Sequence, residues 1–361
     1  MNLNQKYKVL LLVVFSLCIH FFARNTSWVD DFYAQSTYLY IAKGLRFLMG
    51  WIPFSLGDLF YLLIIILLLK SVFIFIKKVK NKKLLVQNWQ LKLSKFISVI
   101  CIVYISFQLL WGLNYSRTGV SKDFDLYIDS VNTSDLDTLV YALHQKLNEK
   151  ARVVYGSDRS SLHSDKVIFT TASEAYKKLS NTYPWLNYQP HSIKPTFFGF
   201  ILNYSGFLGY YNPFSGEAQV NTTVPAFMHP FVAVHEIAHQ LGYAKENEAN
   251  FIGFLAGKNS NDVNMQYAIY YDMYQYAVND LWQLDSLKAK RYEYTLHRQV
   301  KADMLVNYQF YKDKKSPLEP FVRWIYSRFL IINNQPSGLY SYNEVVGWLI
   351  AYYKKNGIDA I

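Results

Sequence analysis

Cysteine is almost absent from this chain: Cys18 and Cys101 are the only two in 361 residues, and both lie in long apolar runs. A disulfide-stapled scaffold and a multi-cysteine metal site are thereby excluded. Charged side chains are also scarce, 17 % of the sequence against about a quarter in ordinary soluble domains, which excludes a disordered chain and an extended coiled coil. The length allows one or two domains, each able to bury a core. The net charge of +11 would suit nucleic acid if it were spread over a folded surface. Instead, residues 1–113 carry 13 Lys and Arg against 3 Asp, and residues 114–361 carry 24 against 23 acids. The excess belongs to the apolar part and speaks of membrane topology, so the expected partner is a lipid bilayer and not a nucleic acid.

Three apolar runs predict membrane spans near 9–23, 59–76 and 96–113, forming a membrane region over 1–113. The first run is short, but Phe21 and Ala23 fit a small-x-small cleavage site poorly, which favours an uncleaved anchor over a signal peptide. Lys70 interrupts the second run and can snorkel toward an interface. Residues 77–95 hold seven lysines and no acid, whereas 24–51 hold Arg24, Lys43 and Arg46 against Asp30 and Asp31. The lysine-rich loop is therefore expected in the cytoplasm, with everything after Leu113 on the other side. The aromatic-rich loop 24–51 is expected to lie on the membrane surface.

Residues 114–361 show no internal repeat and read as one extracytoplasmic domain. Leu136, Leu139, Val140, Leu143 and Leu147 share a face and predict a helix over 134–150. Thr171 with Glu174 reads as a capping box opening a second helix that ends before Pro184. Residues 190–224, rich in Pro, Gly and aromatics, predict short strands and turns, with 216–224 as one strand. From Pro225 onward the pattern is helical; Ser341 with Glu344 predicts the cap of a last helix, followed by Gly357. A small sheet followed by many helices is an α+β arrangement.

The most informative stretch is His235-Glu236-Ile237-Ala238-His239. Pro230 suits the start of its helix and Gly242 its end. On a helix, residues four apart share a face, so two imidazoles can bind one Zn2+, with Glu236 beside it as general base toward a water and then proton donor to a leaving amine. A catalytic zinc usually takes a third protein ligand. Gly242 lets the chain turn back, and Glu246 and Glu248 open the next helix. Glu246 shares a face with Asn250 and Gly253, whereas Glu248 shares one with Ile252 and Leu255. The polar face favours Glu246 as ligand and Asn250 as the group that orients an imidazole, with Glu248 the alternative ligand or a helix-dipole partner.

H-E-x-x-H followed by E-x-E-A-N-x-x-G resembles the glutamate-type zincins, in several of which the third ligand begins an E-x-x-A-D or E-x-x-A-N motif. Carried over, that resemblance implies Glu246 as ligand and Asn250 as its supporting residue; many relatives carry Asp there, and Asn can still accept an imidazole N–H, without charge. The apolar N-terminal part, Gly-Tyr-Tyr-Asn-Pro-Phe-Ser-Gly-Glu-Ala-Gln-Val-Asn at 209–221, H-E-I-A-H-Q-L-G and the late Ser-Tyr-Asn-Glu-Val-Val resemble a bacterial membrane-protein family catalogued as domain of unknown function 3810. The resemblance implies a zinc-peptidase-like fold and a bacterial envelope protein; with the three apolar runs and the lysine-rich loop, the expected place is the inner membrane, multi-pass, with the domain facing the periplasm.

The expected function is a membrane-anchored zinc metallopeptidase acting on a peptide or protein substrate of the envelope; the alternative is a zincin-fold binding or scaffold protein, which would not need Glu236. An intramembrane protease is disfavoured because no run of about 20 apolar residues surrounds His235. The strand near 217–223 is the candidate edge for pairing with an extended substrate. Tyr210, Tyr211, Tyr271, His297 and Arg298 are candidate oxyanion donors. His229, off the ligand face, reads as structural, and the sequence leaves the oligomeric state open.

Overall fold

The structure, a computed structural model, describes residues 3–80, 89–128 and 132–361; Lys82 and Lys83 of the lysine-rich loop lie outside the described residues. Among the described residues, three helices are long and apolar enough to cross a membrane: α1 (Leu3–Ala23), a later helix Leu56–Lys80 and a third, Trp89–Leu110. Between the first two, residues 24–51 are not a loop. They form a short helix Thr26–Val29, a wide π-helical segment Asp30–Thr37 and α2 (Tyr38–Met49). Tyr38, Ala42 and Arg46, four residues apart, are buried against the domain, while Tyr40, Phe47 and Leu48 stay exposed. The aromatic richness therefore serves two opposite faces of a helical collar.

The Leu56–Lys80 helix is α3 and the Trp89–Leu110 helix is α4. Beyond Tyr61 every side chain of α3 is exposed, the pattern of a helix facing lipid. Its 25 residues extend about 37 Å at 1.5 Å per residue, enough for a hydrocarbon core of ~30 Å. The third apolar run stops short of the expected Leu113, because Trp111 leaves helical geometry and Gly112–Ser116 form a tight 3₁₀ turn buried in the domain. Lys6, Lys8, Lys77, Lys78, Lys80, Lys92 and Lys95 all fall at the helix ends away from the domain.

The domain opens with α5 (Thr133–Val154), whose first turn is capped by the Asn132 side chain on Asp135 N–H at 2.8 Å. α6 (Asp165–Leu179) starts six residues before the expected Thr171, because Ser164 supplies the cap. Strand β1 (Ile193–Pro195), the short α7 (Gly199–Asn203), β2 (Gly209–Asn212) and β3 (Glu217–Val220) follow. The sheet order is β1-β3-β2, with β1 parallel and β2 antiparallel to β3. The strand expected as a substrate-pairing edge is thus the central one, shortened to four residues and paired on both sides; the edge beside the helical core is β2.

Helices α8 (His229–Gln240), α9 (Glu246–Lys258), α10 (Val263–Leu284), α11 (Ser286–Tyr294), α12 (Arg298–Asp313), α13 (Glu319–Ile332) and α14 (Val345–Asn356) complete the α+β fold. Ser341 does not cap α14; it lies in a 3₁₀ turn, and the Glu344 carboxylate is engaged by Asn247 and Ser337. All twelve residues of α8 are buried. Around it α5, α6, α9, α10 and α14 supply one apolar core rich in Leu, Ile and Tyr.

Buried polar groups fasten the membrane-type helices to the sheet. The α3 N-terminus presents the free N–H groups of Leu56 and Gly57 to the Glu217 carboxylate, at 3.2 and 2.6 Å. The same carboxylate accepts from Ser215 Oγ and from the ammonium of Lys194. Asp58 accepts from Thr196 Oγ1, Phe197 N–H and the Tyr210 hydroxyl. Gly57 permits this approach, since a Cβ there would stand 2.5 Å from Asn212 Nδ2. Removing one partner of a buried ion pair strands the other charge. Lys194→Met is therefore expected to destabilise the fold by about 3–5 kcal/mol, read by thermal unfolding in detergent; an unchanged melting temperature would contradict this role.

Candidate metal centre

The site is built on α8 and on the reversal that follows it. Pro230 occupies the first turn, where no intrahelical N–H is required of it. The helix ends at Gln240, and Gly242, at φ +92°, turns the chain so that Tyr243 N–H reaches back to the Ala238 carbonyl at 3.2 Å. A side chain at Gly242 would meet Tyr38 at 2.9 Å. The reversal does two things. It aims the Tyr243 carbonyl at His239 Nδ1, 2.7 Å away, and it lays α9 against α8.

On α9, Glu246, Asn250 and Gly253 all face α8. Asn250 Nδ2 donates to the Tyr342 carbonyl at 3.2 Å, which leaves its Oδ1 to accept from His235 Nδ1 at 2.8 Å. Both imidazoles therefore donate from Nδ1 and turn Nε2 inward. Gly253 lies against the His235 backbone. Glu246 Oε2 stands 3.3 Å from His235 Nε2 and 3.4 Å from His239 Nε2. The three ligand atoms lie within 4.8 Å of one another. A tetrahedral zinc with bonds of about 2.0–2.1 Å would hold neighbouring ligand atoms about 3.3–3.4 Å apart, so the donor set and spacing fit that ion. Glu246 Oε1 accepts from the Tyr326 hydroxyl at 2.6 Å, while Oε2 is buried with no hydrogen-bond donor.

The alternative acid, Glu248, is buried on another side of α9. Its carboxylate accepts from Lys245 Nζ at 3.2 Å and packs on Gly119, where a Cβ would come within 2.3 Å of its oxygens. It does not join the histidines. Burial raises its carboxyl, opposed by Lys245 and Arg117.

Glu236 is buried between His235 and the edge strand, and its Oε2 has no hydrogen-bond partner. A Cβ on Gly209 would lie 2.6 Å from Glu236 Oε1, so only glycine allows β2 this close. Burial pushes the Glu236 carboxyl up to about 8, with the His239 imidazole opposing and the Glu246 carboxylate adding. Burial lowers His235, against the pull of Glu246. Burial lowers His239 as well, but the Glu246 carboxylate, with Glu236 and the Tyr243 carbonyl, raises the imidazole to about 9, so a metal would displace its Nε2 proton. Burial also opposes the ionised form of Glu246, but the two imidazoles hold its carboxyl far below the usual range.

Two connected hollows of about 270 and 260 Å³ meet over these groups and share Phe207, Gly209, His235, Glu236, Tyr326 and Tyr342. Asn221 N–H donates to the Leu208 carbonyl and Gly216 N–H to that of Asn212, both at 2.8 Å. The alternation of an antiparallel pair then leaves N–H and C=O of Gly209 and Tyr211 on the outer edge of β2, facing the cleft.

Of the candidate oxyanion donors, Tyr210 and Tyr211 line the cleft, but the Tyr210 hydroxyl is spent on Asp58 and the Tyr211 ring packs on Trp111 at 5.1 Å. Tyr271 is buried behind α8 against Phe227; His297 and Arg298 pack on Tyr155. His229 is buried off the site, hydrogen-bonded to the Val224 carbonyl. The hydroxyls that do reach the site are those of Tyr326 and Tyr342, 3.4 Å apart, and the Tyr342 ring lies parallel to that of His235. Neither tyrosine carries a local sequence signal; Tyr342 lies inside the Ser-Tyr-Asn-Glu-Val-Val segment, and its family resemblance is the one pointer to it.

The chain matches none of the curated proteins and none of the solved structures with which it was compared. The family described as Protein of unknown function (DUF3810) matches residues 33–350, which take in α2, the two longer apolar helices, the sheet, the metal-type site and the aromatic residues over it. The chain belongs to the DUF3810 family.

Proposed function

We propose that this protein is a membrane-anchored zinc metallopeptidase whose domain lies outside the cytoplasm of a bacterial cell. The observation that carries the reading is the convergence of His235 Nε2, His239 Nε2 and Glu246 Oε2, with both Nδ1 atoms already committed elsewhere. The likeness of H-E-x-x-H and the following E-x-E-A-N to the glutamate-type zincins supports it. The gathering of lysines at the helix ends away from the domain supports the orientation. A zinc ion bound there would supply Lewis acidity, lowering the pKa of a water toward about 7 and polarising a peptide carbonyl.

The chain's own groups divide the remaining work. The open edge of β2 binds an extended peptide through the N–H and C=O of Gly209 and Tyr211. Glu236 takes a proton from the attacking water and returns it to the leaving amine, as the C–N bond breaks and a C–O bond forms. Tyr342, whose hydroxyl has, among the described residues, only the long contact with Tyr326, donates to the developing oxyanion. Asn250 and the Tyr243 carbonyl keep the imidazoles in the binding tautomer. Glu236 also separates this reading from a scaffold, which has no use for a buried carboxyl beside the ligands.

Elemental analysis of the purified full-length protein tests the site. One zinc per chain is expected, lost in His239→Ala and Glu246→Ala and kept in Glu248→Gln; a well-folded wild type that takes up no zinc would overturn the proposal. Asn250→Ala should weaken zinc binding by about 10–100-fold, measured by competition with a chelator. With a peptide library as substrate, Glu236→Gln should keep the metal and abolish cleavage. Tyr342→Phe should lower kcat by about 10²–10³ with little change in KM; an unchanged kcat would remove Tyr342 from this role.

A further inference from the structure

The cleft is not enclosed by the domain alone. One half is lined by domain residues such as Phe231, Arg323 and Leu339. The other half is walled by Tyr61 of α3, by Phe107 of α4 and by Trp111, the residue that ends the third apolar helix. Trp111 Nε1–H donates to the carbonyl of His239 at 3.3 Å, so a membrane-type helix ends directly against a residue of the metal-type site. Aromatic contacts extend this wall: Phe107 meets Phe329 of α13 at 6.1 Å, and Tyr61 meets Tyr210 at 6.0 Å.

Apolar side chains on α13, α2 and α7 are uncovered. α13 exposes Phe321, Trp324 and Ile325, and Ile332 at its end is 80 % exposed beside α1. α2 exposes Phe47 and Leu48, followed by Trp51 at 77 %, on the face opposite Arg46. α7 adds Phe200 and Ile201. Arg323, Arg328 and Lys314 stand among these rings, the mixture of aromatic and basic side chains that settles at lipid headgroups. Because α13 reaches α4 through Phe329, its exposed apolar face continues that of the spans, and a bilayer is what covers both.

We propose that the substrate is a peptide itself held in the bilayer, cut within a few residues of its own membrane-embedded segment. The inference rests on the hydrolase reading above and adds the substrate class. A chain lying along β2 would place one side of its scissile bond in the domain half of the cleft and the other against Tyr61, Phe107 and Trp111, at the level of the headgroups. The substrate's apolar segment then stays in lipid while the bond is cut, and no membrane helix has to be withdrawn into water.

The test uses zinc-loaded full-length protein in phosphatidylethanolamine–phosphatidylglycerol vesicles. One randomised fluorogenic peptide pool is offered free, or joined to an apolar anchor of about 20 residues through a spacer of either ~2 or ~30 flexible residues. Both anchored pools have the same surface density, so their difference reports the position of the bond and not local concentration. The short-spacer pool is expected to be cut at least about tenfold faster, an advantage of about 1.4 kcal/mol. Phe321→Glu with Trp324→Glu should erase most of that advantage while zinc content and cleavage of the free pool stay unchanged. Independently of activity, a bimane label at Phe321→Cys should be quenched by doxyl lipids, and one at Tyr294→Cys should not. Equal or faster Glu236-dependent cutting of the long-spacer pool, or no quenching at position 321, would overturn the substrate class and leave the hydrolase intact. No Glu236-dependent cutting of any pool would overturn the hydrolase reading and this one with it.

Discussion

The arrangement depends on where two imidazole protons sit. His235 donates from Nδ1 to Asn250 and His239 from Nδ1 to the Tyr243 carbonyl, so both Nε2 atoms point at one spot beside Glu246. Neither acceptor lies on α8. Both arrive because Gly242 adopts a left-handed conformation that reverses the chain and brings α9 back with Glu246, Asn250 and Gly253 on its inner face. The burial that follows is costly for polar groups, and nearly every one near the site is answered by a partner. Among the described residues Glu236 Oε2 and Glu246 Oε2 have no partner, as do Gln240 Oε1, Asn247 Oδ1 and Gln335 Nε2 nearby, and the first two are the atoms whose proposed work needs them free.

A second constraint joins the domain to its apolar helices. Glu217 and Asp58 tie the start of α3 to the sheet, Trp111 ties the end of α4 to α8, and Tyr38 and Arg46 of the collar both donate to the Gln240 carbonyl at the end of α8. These bonds fill unsatisfied carbonyls at a helix C-terminus, and Arg46 also brings positive charge to the negative end of the dipole. The site and the apolar helices are therefore joined by buried hydrogen bonds, with β2 beside both Tyr61 of α3 and Glu236 of α8.

Much of this was legible in residue spacing. The four-residue interval between His235 and His239 and the shared face of Glu246, Asn250 and Gly253 were periodicity arguments, and periodicity is local. The apolar runs were legible for the same reason, although Trp111 ended the third one early through a backbone turn that composition does not encode. Strand order was not legible: a four-residue strand carries no mark of whether it is central or at an edge, and β3 proved central. Thr171 and Ser341 matched a capping pattern, yet Ser164 and a 3₁₀ turn set the actual helix starts, because the pattern is satisfied by many unrelated pairs. Tyr326 and Tyr342 come to the site from about 80–100 residues away in sequence, through packing that no local signal predicts.

The most direct measurement is the zinc K-edge absorption spectrum of the purified full-length protein. Two imidazole outer shells with a first shell of nitrogen and oxygen at about 2.0–2.1 Å are expected, with one imidazole shell lost in His235→Ala. A first shell containing sulfur near 2.3 Å, or a spectrum without imidazole scattering, would contradict the assignment of His235, His239 and Glu246 as the metal-holding set.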